Sequence, residues 1–352
     1  MKNTLSKKTK LLFAAGLIVG ISVFSGCQSE QQSRGGNVGQ TTAQGDQQQG
    51  DKKIKKITLA HAGTSPCEAP IFSAETKGFF EKEGLDVELV KMDFETLKNG
   101  IASGKVDATV GNFAWFKPIE QGLDVKLTGG LHAGCIQAAT LKSSGIKEIK
   151  DLKGKRIGID LIGGGPQITL TIQLKKAGID PKKDVEWKVY PGPQLATAAE
   201  KGEIDAFITW DPAAQKALDT GKFHRLLSNA HDEPFKSGYC CYSVINGRLA
   251  KEDPETAAAL TRALLKAADW VGHNTGEAGH IVADAKHVPV DAQEAGKLIG
   301  GYHWKPGVLT AEESVKFFIK EQKEQGILEP TTDEKELFER MFFKAIPDYN
   351  GH

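Results

Sequence analysis

The residues best equipped for chemistry in this 352-residue chain are His61, Cys67, His132, Cys135, Cys240 and Cys241. Neutral imidazole and thiolate are ligands for zinc and softer metals. The same cysteines could instead pair as disulfides or pack as small apolar side chains, and no CxxC spacing chooses among these. Adjacent residues of an extended strand point to opposite faces, so at most one of Cys240 and Cys241 can meet a ligand. A second set is aromatic: Phe94, Phe113, Trp115, Phe116, Trp210 and Tyr239 could stack on a flat or cationic molecule, with Phe116 and Phe94 read as core. A third set is acidic, comprising Glu68, Asp93, Asp160 and Asp211, with the Asn112 amide able to donate and accept. No Arg accompanies them, and Arg is the usual planar partner of an oxyanion. A small oxyanion would find mainly helix N-termini, after Ser65 and after Gly165.

These residues fall at the ends of predicted elements. Ile54–Ala60 is an apolar-rich strand, followed by the turn-forming stretch His61 to Pro66. Ser65 and Glu68 have capping-box spacing, with Pro66 at the favoured first helical position. A helix to Lys77-Gly78 and a strand over Asp86–Lys91 complete a βαβ unit. Two segments echo each other: Ala102-Ser103-Gly104-Lys105-Val106-Asp107-Ala108 and Glu200-Lys201-Gly202-Glu203-Ile204-Asp205-Ala206. The second half also has its own start, a strand at Arg156–Asp160 and a Gly163-Gly164-Gly165 loop opening a helix to Ala177. Two similar halves imply two α/β lobes with a cleft between them, and open α/β sheets bind ligands beyond the carboxyl ends of their strands. The candidate ligand-binding residues are therefore His61, Thr64, Ser65, Asp93, Asn112, Phe113, Trp115, Gly164, Gln167, Trp210 and Asp211. His132, Cys135, Tyr239 and Cys240 join them from stretches that lead toward the same cleft. No nucleophile motif accompanies the cysteines, so no catalytic residue is assigned and no cofactor is expected.

The first residues read as targeting rather than fold. Lys2, Lys7, Lys8 and Lys10 precede an apolar run from Leu11 to Phe24, which is shorter than the roughly 20 residues of a spanning helix. The run ends in Ser25-Gly26-Cys27, the pattern of a bacterial lipobox. Residues 1–27 are thus expected to be a lipoprotein signal peptide, with Cys27 the lipidated residue. Residues 28–53 are mostly Gln, Gly, Ser, Thr and Asp and read as a disordered tether. Lys plus Arg equals Asp plus Glu, 45 each, and this balance argues against a nucleic-acid partner.

Three motifs, in order, resemble one family. Lys77-Gly78-Phe79-Phe80-Glu81-Lys82-Glu83-Gly84-Leu85-Asp86-Val87-Glu88, Asp151-Leu152-Lys153-Gly154-Lys155-Arg156-Ile157-Gly158 and Trp210-Asp211-Pro212 are similar to hallmarks of the nitrate/sulfonate/taurine-type substrate-binding proteins of ABC importers, a group that also holds thiamine-pyrimidine binders. The resemblance implies a type II periplasmic-binding-protein fold, with lobe I from 54–140 and 242–352 and lobe II from 141–241. It implies crossovers near Ala138–Leu141 and Tyr239–Ser243, closure around a small molecule, permease and ATPase partners, and export as a membrane-anchored monomer. Related thiamine-pyrimidine synthases carry a fuller cysteine run than Cys240-Cys241, a departure that argues against their chemistry here.

Overall fold

Alternation in Lys55–His61 (β1) buries Ile57 and Leu59 while the intervening Thr58 stays half-exposed, as a strand with one core face requires. The computed structural model describes residues 54–349; the expected signal peptide, Cys27 and the tether lie outside that range. β1 pairs in parallel with β2 (Leu85–Lys91) and with β3 (Ala108–Asn112). The remaining strands are β4 (Val125–Ala133), β5 (Ile136–Leu141), β6 (Arg156–Ile159), β7 (Glu186–Val189), β8 (Ala206–Trp210), β9 (Phe223–Ser228), β10 (Cys241–Asn246) and β11 (His303–Gly307). They form a six-stranded sheet of order β11-β4-β10-β3-β1-β2 and a five-stranded sheet of order β7-β6-β8-β5-β9. In each sheet an internal strand runs against both neighbours, β10 between β3 and β4 and β5 between β8 and β9, and the edge strand β11 also runs against β4.

The chain passes between the sheets twice. The outward passage is only Gly134-Cys135, between β4 and β5. This lies upstream of the Ala138–Leu141 position expected from sequence, because Ala138 and Ala139 already pair with Ile208 and Phe207 of the second sheet. The return passage ends at Cys240, where β10 begins and where Cys241 pairs with both Asn112 and His132. The 20-residue helix Pro254–His273 packs its apolar face on the first sheet, and the helix Leu309–Glu324 sends Phe318 to stack on Phe113 at 4.4 Å. Among the described residues, no helix is long and apolar enough to cross a membrane.

The sequence echo has a structural cause. Gly104 and Gly202 take φ of 73° and 72° just beyond the helices Phe94–Ala102 and Leu195–Glu200, a left-handed conformation that suits glycine. Three residues later, Asp107 Oδ2 accepts the Thr58 backbone N–H at 2.8 Å and Asp205 Oδ2 accepts the Arg156 backbone N–H at 2.8 Å. Each aspartate thus fastens the start of one strand (β3 or β8) to its parallel neighbour (β1 or β6). Asp205 also takes a side-chain bond from Arg156 at 2.8 Å.

Candidate functional site

A cavity of about 230 Å³ lies where the carboxyl ends of β1 and β3 face those of β6 and β8. The first sheet's side supplies the loop Ala62–Glu68, Met92, Phe94, Asn112, Trp115 and Cys241; the second supplies Asp160, Leu161, Gly164, Gly165 and Trp210. The wall is mostly apolar. Phe94 and Trp115 meet edge to face at 5.1 Å, and Trp210 packs over Gly165. Among the described residues, none lining the cavity is Lys, Arg or His.

Two acids line it, with different partners. Glu68 is buried, and its two carboxylate oxygens accept the backbone N–H groups of Ala62 and Gly63, each at 2.7 Å. Burial pushes its pKa up to about 7 against those bonds. Glu68 therefore closes the β1 loop instead of completing a capping box; Ser65 Oγ accepts only a long 3.5 Å bond from Cys67 N. Asp160 follows β6; its Oδ1 is shut off from solvent with no hydrogen-bond partner, while bonds from the Trp210 side chain and the Leu161 backbone favour the charged form. Burial raises its pKa too. A buried acceptor without a donor is a demand for one.

Of the residues chosen from sequence, Thr64, Ser65, Asn112, Trp115, Gly164 and Trp210 line this cavity. The others are placed elsewhere. Asp93 caps the helix Phe94–Ala102 through Thr96 N at 2.9 Å. Phe113 turns into the core against Phe318, and Phe94, read as core, takes the wall position. Gln167 Oε1 accepts the Gly163 N–H and braces the glycine loop. His61 is buried against Phe72 at 4.9 Å, and burial, His287 and Lys91 lower its pKa to about 4, so it is neutral at pH 7. Tyr239 is buried under Gly130 and donates to the Lys305 carbonyl. Cys241, not Cys240, faces the cavity. Cys67, Asp160 and Met92 complete the wall without having been chosen; Cys67 and Asp160 were visible as a thiol and a strand-end acid.

Behind the cavity the thiols gather. Cys67, Cys135, Cys240 and Cys241 are all buried. Ligand atoms of Cys67, His132 and Cys241 lie within 4.8 Å of one another, as do those of Cys135, Cys240 and Cys241, so either trio could hold a soft metal ion. His132 is enclosed by Tyr302 and Trp304, and its Nε2–H donates to the Cys67 carbonyl at 3.2 Å. On the far side of this cluster a second cavity, about 190 Å³, is lined by Cys135, Gln137, Asp211, Arg225, Lys297 and Tyr302 among others. Asp211 is buried there, accepting from Gln137 Nε2 at 2.7 Å and from the Tyr302 hydroxyl at 3.3 Å. Burial lifts its pKa to about 6.

The profile of the family described as NMT1/THI5 like matches residues 65–278. The chain is 24% identical over 334 residues to the nitrate/nitrite binding protein NrtA of a Nostoc species, covering 82% of this chain and 72% of that protein. It is 27% identical to a putative aliphatic sulfonates-binding protein of Bacillus subtilis, covering 67% and 71%. It is 31% identical to the 4-amino-5-hydroxymethyl-2-methylpyrimidine phosphate synthase THI13 of Saccharomyces cerevisiae, covering 61% and 67%. Among solved structures it superposes on the periplasmic nitrate-binding protein NrtA of Synechocystis with TM-score 0.69 at 16% identity, covering 83% and 86% of the two chains. It superposes on the periplasmic aliphatic sulphonate binding protein SsuA of Escherichia coli with TM-score 0.67 at 14% identity, covering 83% and 92%. The fold is thus that of type II periplasmic binding proteins, two α/β lobes joined by a two-crossover hinge.

Proposed function

The chain belongs to the NMT1/THI5-like family, and from that premise we propose that it is the substrate-binding component of an ABC-type importer. It captures a small organic solute between its lobes and delivers it to a permease driven by an ATPase. The observation that carries this reading is the cavity itself, whose walls come from the strand ends of both sheets, so that closing the hinge would enclose a ligand. The binding relatives named above support it. No chemical step is assigned to the chain. With Ser25-Gly26-Cys27 read as a lipobox, the protein works as an exported, lipid-anchored monomer at the outer face of the membrane.

The lining narrows the solute. It offers the Asp160 carboxyl and the rings of Phe94 and Trp210, with the buried Trp115 behind them, but no Lys, Arg or His among the described lining residues. A flat solute bearing a cationic or strongly donating nitrogen satisfies Asp160 and the aromatic faces together. Nitrate or an alkanesulfonate would meet chiefly backbone N–H groups near Gly164 and Gly165.

The test is a thermal-shift screen of nitrate, alkanesulfonates and aminopyrimidines, followed by calorimetry of any hit. A ligand of the folded state raises apparent stability. The expected result is binding of an aminopyrimidine or similar amine, weakened about tenfold or more by Asp160→Asn. Micromolar binding of an alkanesulfonate that Asp160→Asn leaves untouched would restore an oxyanion as the ligand. Loss of no affinity in Trp115→Ala and Trp210→Ala together would remove the cavity from the argument.

A further inference from the structure

We propose that Cys135 and Cys240 form a reversible disulfide that ties together the two passages of the chain between the sheets. The two Sγ atoms lie 3.3 Å apart and both residues are 2% exposed. A disulfide bond is about 2 Å long, so a small rotation of each side chain is enough to close the gap. Backbone bonds hold each passage in place: Cys240 N–H donates to the His132 carbonyl at 3.0 Å, three residues before Cys135, and the Cys135 carbonyl accepts from Asp211 N–H at 2.9 Å.

Cys135 also holds a conformation that its side chain disfavours. Its φ is 90°, in the left-handed region, directly after Gly134 at 106°. Glycine would occupy that place without strain, and strained residues that persist are held there by their surroundings, often for a purpose. Here the strain places a thiol against its partner on the other passage. Burial pushes the Cys135 thiol up. Burial also opposes charge on Cys240, yet hydrogen bonds from Cys135 and Cys241 and the nearby His132 hold it well below the usual thiol range.

Access comes from the second cavity, which Cys135 lines. A peroxide is small enough to enter and is the oxidant named here. A thiolate sulfur attacks one peroxide oxygen, forming a sulfenic acid, and the other oxygen leaves with a proton as water. The second sulfur then displaces the sulfenic hydroxyl, which departs as a second water. Two thiols lose two electrons and two protons, and one peroxide is reduced. A dithiol reverses the bond by exchange. The resulting ring contains all five strands of the second sheet, β5 to β9, and the bond limits the hinge at both of its strands.

The experiment uses the full chain, reduced and then exposed to hydrogen peroxide, alkylated and mapped by mass spectrometry. The expected result is a linked Cys135–Cys240 peptide, retained in Cys241→Ser. The apparent melting temperature rises by at least about 5 °C, as closing a loop of about 100 residues would predict. Dithiothreitol reverses both changes. Cys135→Gly abolishes both responses while keeping the reduced protein at least as stable as wild type, because glycine fits that φ. Linkage through Cys67 or Cys241 instead, oxidation to sulfinic acid without a link, or four thiols shielded from peroxide by a bound metal would each overturn the proposal.

Discussion

Replacing Asp211 by Asn is expected to stabilise the protein at neutral pH, although it alters a buried, hydrogen-bonded group. Asp211 is 3% exposed, and its pKa is raised from 3.8 to about 6 chiefly by burial. At about 1.4 kcal/mol per pH unit, that rise corresponds to about 3 kcal/mol. The sign follows from where the proton prefers to be. Below pH 4 both folded and unfolded chains carry it, and nothing is lost. Between about pH 4 and 6 the unfolded chain ionises freely while the folded one resists, so stability falls as pH rises. Above about pH 7 the full cost is present. Asn cannot ionise, its oxygen can still accept from Gln137, and its amide can face the Tyr302 oxygen. Urea unfolding at pH 4.0, 5.5 and 7.5 should show near-equal stability at the lowest pH and an advantage for Asp211→Asn of about 2–3 kcal/mol at the highest. A difference that is constant across the three pH values would refute the reasoning. It would mean that the Arg225 charge, the weakest of the influences on Asp211, in fact keeps it ionised.

Other substitutions test the packing and the strand fasteners. Gly165→Ala would place a Cβ 2.9 Å from Trp210 Cη2 and 3.3 Å from Asn112 Oδ1; a cost of about 1–2 kcal/mol in urea unfolding and a shift in tryptophan emission are expected, and unchanged emission would count against the contact. Gly130→Ala would drive a Cβ to 2.4 Å from the Tyr239 ring, and a loss of about 3 kcal/mol or more is expected, with Tyr239→Leu in the same background recovering part of it. Asp107→Ala and Asp205→Ala should each cost about 1–2 kcal/mol, since each strands a backbone N–H of a neighbouring strand; a large effect in one and none in the other would break the equivalence drawn between the two segments.

The elements were legible where a local rule dictates them. The Lys77–Glu88 stretch announced a helix end and a strand, and the repeated Gly-x-x-Asp announced two matching turns. The wall of the cavity was harder, for a geometrical reason. Phe113 to Phe116 occupy a tight helical turn, where each residue rotates by roughly 100–120° from the last. Composition shows that aromatics are present but not the phase of the turn, so Phe113 and Phe94 exchanged roles. Cys240 and Cys241 pose the same problem with period two: one faces the cavity, and only the pairing of Cys241 with Asn112 decides which. His132 could not be placed at all from its neighbours, because the rings that enclose it, Tyr302 and Trp304, come from about 170 residues later in the chain. Asp160 was visible as a strand-end acid; the lack of a partner at its Oδ1 is a property of the assembled cavity.

The arrangement of strands also bears on how the protein is made. All five strands of the second sheet are consecutive in the chain, β5 to β9, and end at Ser228. The first sheet instead needs β10 at its centre and β11 at its edge, which close at Asn246 and Gly307. During synthesis from the N-terminus, β1 to β4 emerge first but lack their antiparallel neighbour. The second sheet can complete itself while the first still waits with an unfilled gap between β3 and β4. The half that is begun last is then finished first, and the earlier strands spend the interval as exposed edges in search of a partner. In a chain truncated a little beyond Ser228, protease resistance would be expected in the inserted half and not in the strands that precede it.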